Sequence, residues 1–156
     1  MIKTRYIVSA IIQDGDKILL GKKAKGQPPY PDVWHLPGGG IDDQILGKNL
    51  WDTQDYDNPY LHYEVQREIT EEVGIKVKNI CSIVPGLIPK PAEDRAQNKH
   101  GELTHYFFLV YTCDFDSGVI HPASDLAELK WIEKDNLKNI ALTPPSLQLF
   151  TELKWL

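Results

Sequence analysis

The stretch from Asn58 to Ile75 most constrains how this chain folds. Asn58 is a common helix-capping residue, and Pro59 suits a first helical position. Apolar residues then recur at helical spacing, and Gly74 supplies a stop before the apolar Ile75. The recurring apolar positions are Leu61, Val65, Ile69 and Val73. The pattern predicts one amphipathic helix followed directly by a strand.

The flanking segments predict a sheet for this helix to pack against. Residues 6–13 and 17–20 form a hairpin pattern around Asp14-Gly15-Asp16. Further strands are predicted at 33–36, 75–84, about 102–113 and about 128–132, with loops at 22–32, 42–57 and 87–100. A second helix begins at Thr143. We expect an α+β fold in which a mixed sheet packs between helices, an α/β/α sandwich.

The bulk composition fits one soluble domain covering residues 1–156. Apolar residues make up 42% of the chain, and no apolar run is long enough for a membrane span or a signal sequence. Cys81 and Cys113 have no paired spacing, which argues against a zinc cage and fits a reducing compartment. The expected location is therefore the cytoplasm, without membrane association.

The net charge of −5 argues against broad binding to a nucleic acid polymer, because such binding needs many cations. A small basic cluster of Lys22, Lys23 and Lys25 lies in a Gly- and Pro-rich loop. It either meets a substrate phosphate or is a solvated loop. The sequence favours neither a monomer nor a homodimer.

Glu68, Glu71 and Glu72 stand at i, i+3 and i+4, a spacing that places three carboxylates on one helical face. Like charges this close repel one another, and a divalent cation removes that repulsion. Oxygen ligands alone suit Mg²⁺, with Mn²⁺ as a substitute. The alternative is a solvent-facing helix surface on which Arg67 pairs with Glu64 and Glu71.

The same residues resemble the second half of the Nudix signature. Arg-Glu, an aliphatic residue, any residue, Glu-Glu, any residue, Gly and an aliphatic residue match residues 67–75 without a miss. A chance match at all seven specified positions is below roughly one in a million per starting point. Trp34-His35-Leu36-Pro37-Gly38-Gly39 is similar to the family's Trp-x-x-Pro-Gly-Gly lead-in, and Asp125 precedes Trp131 as an acidic residue often does in the family.

The sequence departs from the signature between its two halves. Arg67 lies 28 positions after Gly39, about twice the family's spacing, so residues 42–57 are interpreted as an insertion. Pro59 stands where the signature has its loop-side glutamate. The sequence leaves Asp55, Asp57 and Glu64 as candidates to replace that glutamate.

The resemblance implies a Mg²⁺-dependent pyrophosphohydrolase that cuts a diphosphate linkage in a small nucleotide. Glu68, Glu71 and Glu72 would hold the metal, and Arg67 would hold a glutamate in place. The general base is predicted to be Glu71 or Asp125. Weaker candidates for the base are Glu68, Glu93, Asp94 and Glu102.

The flexible backbone of Gly38, Gly39 and Gly40, together with Lys23 and Trp51, is predicted to bind substrate; Trp51 is placed to stack on a base. The remaining aromatic candidates for stacking are Tyr30, Tyr56 and Trp34, and Trp34 is expected in the core. His100 and His105 flank Glu102 and are interpreted as surface and strand histidines rather than metal ligands.

The first expected substrate is a nucleoside or deoxynucleoside triphosphate, cut to monophosphate and pyrophosphate. A nucleotide-sugar such as ADP-ribose is the alternative substrate. A Nudix module that binds a nucleotide without cutting it, and an acidic domain with a merely solvated helix, are the alternatives from other classes.

Overall fold

A computed structural model describes residues 2–41, 55–123 and 126–156 of the chain. Two predicted site residues, Trp51 and Asp125, lie outside the described residues. Most of the expected insertion, residues 42–54, also lies outside them.

The described chain contains eight strands and two α-helices. The strands are β1 (Lys3–Asp14), β2 (Lys17–Lys23), β3 (Trp34–His35), β4 (Gly38–Gly40), β5 (Ile75–Ser82), β6 (Ala92–Gln97), β7 (Leu103–Gly118) and β8 (Leu126–Glu133). The helices are α1 (Pro59–Glu72) and α2 (Pro144–Glu152), with a short 3-10 helix at Lys134–Asn139. Neither α-helix is long and apolar enough to cross a membrane.

The strands form one mixed sheet in the order β3-β2-β1-β7-β5. β1 and β7 run parallel, with partners from Lys3 and Thr104 to Gln13 and Asp114. The other strand pairs are antiparallel, with β4 against β1, β6 against β7 and β8 against β2. The hairpin between β1 and β2 is present. The predicted mixed sheet with helices, of α+β class, is confirmed.

Helix α1 begins and ends where the sequence pattern predicts. The Asn58 side chain accepts a hydrogen bond from the Leu61 backbone N–H at 2.9 Å, and Pro59 opens the helix. Gly74 follows the helix at φ +80°, a left-handed conformation that glycine adopts without strain. The helix packs against β1, β4 and β5. Its four predicted apolar residues are buried in the core.

Two segments differ from the expectation. Residues 92–97 were assigned to a loop, yet they form β6 at the side of β7, with only Ala92 buried. The segment Ala-Glu-Asp-Arg-Ala-Gln lacks the apolar residues that mark a strand, because an edge strand needs few of them. Gly38–Gly40 was expected to turn the chain, but it forms the short strand β4 against β1.

The last two residues of the expected insertion, Tyr56 and Asp57, contact the sheet. Tyr56 is buried, and its carbonyl accepts a hydrogen bond from the Tyr111 hydroxyl at 2.6 Å. Asp57 accepts one from the Ser82 backbone N–H at 2.6 Å. Residues 55–57 therefore anchor the start of α1 to β5 and β7.

Candidate active site

The glutamates of α1 do not share one environment. Glu64, Glu68 and Glu72, each one helical turn from the next, are only 7%, 9% and 7% exposed. The Glu71 side chain is 54% exposed. Charged side chains this buried are uncommon in proteins unless they have partners. The burial of Glu64, Glu68 and Glu72 differs from the alternative of a solvent-facing helix surface, because β4 covers one side of the helix.

The backbone of β4 lies against the carboxylates of Glu68 and Glu72 in the C-terminal half of α1. The Gly38 backbone N–H donates a hydrogen bond to Glu72 Oε1 at 2.7 Å. At Gly39, a Cβ atom would overlap both oxygens of the Glu68 carboxylate. Glycine at position 39 is thus required for the close approach of the strand backbone to the helix carboxylate.

Arg67 holds three of the carboxylates together. Its guanidinium donates to Glu71 Oε1 at 2.9 Å, to Glu68 Oε1 at 2.9 Å and, through Nε, to Glu64 Oε2 at 3.1 Å. The hydrogen bond with Glu64, together with the other glutamates, raises the pKa of Arg67. This geometry matches the supporting role predicted for Arg67.

The donor chemistry of this helix fits a divalent cation. One guanidinium contacts three carboxylates, so α1 carries more negative charge than Arg67 neutralises. Burial raises the pKa of Glu68, while the Arg67 guanidinium acts in the opposite direction. Within the described ranges, no three His, Cys, Asp or Glu side chains are already grouped to hold a metal ion. The residues supply hard oxygen ligands, and Glu68 and Glu72 meet at the same glycine strand.

A cavity of about 300 Å³ opens beside β4. Its carboxylate wall consists of Gly38, Gly39, Gly40 and Glu72, with Glu68 behind Gly39. Its neutral wall consists of His35, Tyr106, Phe108, Ser146 and Leu149. Among the described residues, Glu72 is the acidic one that lines the cavity. The cavity therefore joins an anionic, metal-suited surface to a surface of aromatic and aliphatic groups, as small-molecule sites commonly do.

The mouth of the cavity carries basic side chains from three separate segments. Arg5, Lys23, Lys99 and His100 all line it. The Lys23 ammonium donates to the Pro29 carbonyl at 3.0 Å, which ties the end of β2 to the loop that follows. The Arg5, Lys23 and Lys99 cations are suited to the negative charge of a polyphosphate.

Comparison with known proteins identifies the fold. No protein-family model matches the chain. A MutT NUDIX hydrolase from Burkholderia pseudomallei superposes with a TM-score of 0.65 at 24% identity, covering 99% of this chain and 98% of that one. The NUDIX domain of Shewanella oneidensis NrtR, complexed with ADP ribose, superposes at 0.66 and 18% identity, covering 99% and 88%. The chain has the Nudix fold.

Curated proteins of similar length also match the chain, at sequence identities below 25%. A nucleoside triphosphatase NudI from an Enterobacter strain is 22% identical over 151 residues, covering 96% of each chain. The NudI protein of Klebsiella pneumoniae is 24% identical over 147 residues, covering 90% of this chain and 89% of that one. Both alignments span nearly the whole Nudix fold.

The structure brings several predicted residues of this Nudix fold together. Gly38, Gly39, Gly40 and Lys23 line the same cavity as Glu72. The Glu71 side chain is exposed and hydrogen-bonded to Arg67, and it is not among the described residues that line the cavity. Trp34 packs against the core, as expected.

Three of the four weaker candidates for a general base, Glu93, Asp94 and Glu102, are engaged elsewhere. Asp94 accepts a hydrogen bond from the Tyr30 hydroxyl at 3.0 Å, and Glu102 pairs with Lys3 at 2.8 Å. Glu93 lies 3.8 Å from the His105 ring nitrogen. None of these three carboxylates is among the described residues that line the cavity.

Of the three candidates for the displaced glutamate of the signature, the structure favours Glu64. Asp57 is already hydrogen-bonded to the Ser82 backbone N–H and to the His62 ring. Asp55 is exposed, and its side chain accepts a hydrogen bond from the Asp57 backbone N–H at 3.3 Å. Glu64 is buried one turn before Glu68 and shares Arg67 with it. A carboxylate supplied by the helix thus lies beside those of the signature.

The site also contains a residue whose role the sequence did not reveal. His35 lies on β3 and lines the cavity. Its Nδ1 is 2.8 Å from the Leu36 carbonyl oxygen, whereas its buried Nε2 has no hydrogen-bond partner in the described part of the chain. A histidine between Trp34 and Leu36 carries no local signal of this placement.

Proposed function

We propose that this chain is a divalent-metal-dependent hydrolase that cuts a diphosphate linkage in a nucleotide. The observation that carries the proposal is the meeting of buried Glu68 and Glu72 with the glycine strand β4 at one wall of the cavity. The second half of the Nudix signature at residues 67–75 and the Nudix fold support it. A module that only binds an anionic nucleotide gains nothing from carboxylates at that wall.

The residues proposed to hold Mg²⁺ are Glu68 and Glu72, with Glu71 as the third predicted ligand. When bound, the metal would lower the pKa of a water molecule and neutralise charge on the phosphate oxygens. Arg67 keeps the glutamates oriented, and the Gly38 N–H fixes the Glu72 carboxylate against β4. Lys23 and Arg5 lie where they can bind phosphate oxygens at the cavity mouth. The general base remains predicted as Glu71 or Asp125.

The first proposed substrate is a nucleoside or deoxynucleoside triphosphate, released as monophosphate and pyrophosphate. Its support is that two relatives matching the chain over almost its full length are called nucleoside triphosphatases. An ADP-ribose-like nucleotide-sugar is the second candidate, because one solved neighbour binds ADP ribose and another is called an ADP-ribose pyrophosphatase.

A substrate screen tests the proposal. The protein is incubated with Mg²⁺ and, separately, each common nucleoside triphosphate, each deoxynucleoside triphosphate and ADP-ribose, and products are resolved by chromatography. Monophosphate and pyrophosphate support the first substrate class, and AMP with ribose 5-phosphate supports the second. Binding of these nucleotides without any turnover would contradict the hydrolase proposal and favour a binding module.

A further inference from the structure

His35 is held in one tautomer by its own backbone. A carbonyl oxygen only accepts hydrogen bonds, so the 2.8 Å contact with the Leu36 carbonyl places a hydrogen on Nδ1. In the neutral ring Nε2 then carries a lone pair and acts as an acceptor. Burial, reinforced by the nearby charge of Lys23, lowers the pKa of His35 to about 4, so the ring is neutral at neutral pH.

The Nε2 acceptor is buried at the wall of the cavity without a partner among the described residues. Buried polar atoms are nearly always hydrogen-bonded in proteins, and an unpartnered one calls for an explanation. Nε2 has almost no solvent-accessible surface, so a group that enters the cavity can supply the missing donor only if the His35 ring shifts to meet it. The requirement is specific, because the ligand must offer an N–H or O–H hydrogen.

The position of His35 indicates which part of a nucleotide supplies that hydrogen. Phosphate groups in an anhydride are ionised at neutral pH and offer only acceptors, so they suit the basic side chains of the cavity, and they suit the carboxylate wall only with a cation between them. The neutral wall includes the aromatic residues Tyr106 and Phe108 and the aliphatic Leu149, residue types against which a flat base can pack.

We propose that His35 Nε2 accepts a hydrogen bond from an amino group on the nucleobase and so selects bases that carry one. The inference rests on the proposed function for the identity of the ligand as a nucleotide. It adds a residue that determines specificity and states the chemical group that it recognises. A base with a carbonyl oxygen or a hydrogen in place of the amino group leaves the acceptor unpaired.

Matched pairs of nucleoside monophosphates test this selection. AMP is compared with purine riboside monophosphate, CMP with UMP and GMP with IMP, each titrated calorimetrically in chelator so that turnover plays no part. We expect wild type to bind the amino-bearing member of at least one pair about tenfold more tightly. His35→Leu should abolish the preference, and His35→Gln, which retains an acceptor oxygen, should keep part of it.

A measurement on the His35 ring nitrogens of the wild-type protein tests the inference without relying on variants that fold correctly. Nitrogen NMR of the wild-type protein should show His35 with hydrogen on Nδ1 and a shift at Nε2 when the preferred monophosphate is added. Hydrogen on Nε2, members of every pair binding within twofold, or a preference retained in His35→Leu would each overturn the inference. A preference that follows the ribose hydroxyl instead, seen with deoxynucleotides, would also overturn it.

The two proposals fail separately. If wild type hydrolyses nucleotides but shows no preference for amino-bearing bases, the His35 inference fails and the hydrolase proposal stands. If wild type prefers amino-bearing monophosphates through His35 but cuts none of the screened nucleotides, the hydrolase proposal fails and the His35 inference stands.

Discussion

The two walls of the cavity are built in opposite ways. The carboxylate wall comes from two short segments, β4 and the C-terminal half of α1, and its charge is concentrated and incompletely neutralised. The neutral wall gathers side chains from β3, β7 and the start of α2, and its polar atoms are few. Under the proposed function, the carboxylate wall would perform the chemistry and the neutral wall would recognise the ligand.

The largest expected effect comes from Glu72 on the carboxylate wall. Glu72→Gln should lower kcat by at least about a hundredfold, because it removes a proposed metal ligand. The glutamine Oε1 can still accept from the Gly38 N–H, so the free energy of unfolding should change by less than about 1 kcal/mol. Glu133→Gln, an exposed position on β8, is the matched control and should behave as wild type. Activity of Glu72→Gln within threefold of wild type would remove Glu72 from the metal site.

Gly39→Ala tests the contact between β4 and α1. Its Cβ would overlap the Glu68 carboxylate, so that side chain must move. We expect kcat to fall about tenfold and the free energy of unfolding to fall by about 1–3 kcal/mol, as overpacking of a tight site does. In Gly86→Ala the new Cβ would lie 3.4 Å from the Ile83 carbonyl oxygen, an ordinary contact that makes this variant the control. Equal behaviour of the two variants in kinetics and denaturant unfolding would show that Gly39 is not needed.

The free energy of unfolding should depend on pH through His35 on the neutral wall. Because the pKa of His35 is lowered in the folded protein to about 4 from 6.5, the unfolded chain takes up the proton first as pH falls. The contribution of His35 to stability is thus complete above about pH 6.5 and is lost as pH falls towards 4. We expect wild type to lose on the order of 1–3 kcal/mol more than His35→Gln over this interval. Parallel stability curves for the two proteins, measured by denaturant unfolding, would contradict a buried neutral His35.

The smallest effect is expected from the insertion. Replacing residues 42–54 by a short Gly-Ser link, while keeping Tyr56 and Asp57, should change KM and the ranking of substrates by a few fold. Calorimetric affinity for Mg²⁺ should stay within twofold, because the proposed ligands lie on α1. Loss of Mg²⁺ binding in a folded replacement variant would instead assign a metal ligand to the insertion.

The glutamates of the carboxylate wall were predictable from sequence because they are close together in the chain and follow a fixed helical period. Asn58, Pro59 and Gly74 set the bounds of α1, and the glutamate spacing indicated the chemistry. Burial of Glu68 and Glu72 was not predictable, since it depends on β4 pairing with β1 and so covering the helix.

The neutral wall and strand β6 could not be predicted from the sequence pattern. His35, Tyr106 and Leu149 are far apart in the chain, and only the order of strands brings them to one cavity. Strand β6 is polar because it lies beside β7 with a single buried residue, so it lacks the apolar alternation that predicts a strand.

The central claim is that turnover depends on a divalent cation held by the glutamates of α1. The most direct measurement is the rate of nucleotide hydrolysis in excess chelator, after Mg²⁺ is restored, and with Ca²⁺ in its place. We predict no turnover in chelator, full recovery with Mg²⁺ and little with Ca²⁺, whose larger and looser coordination shell fits the reaction poorly. Undiminished hydrolysis in chelator would contradict the account.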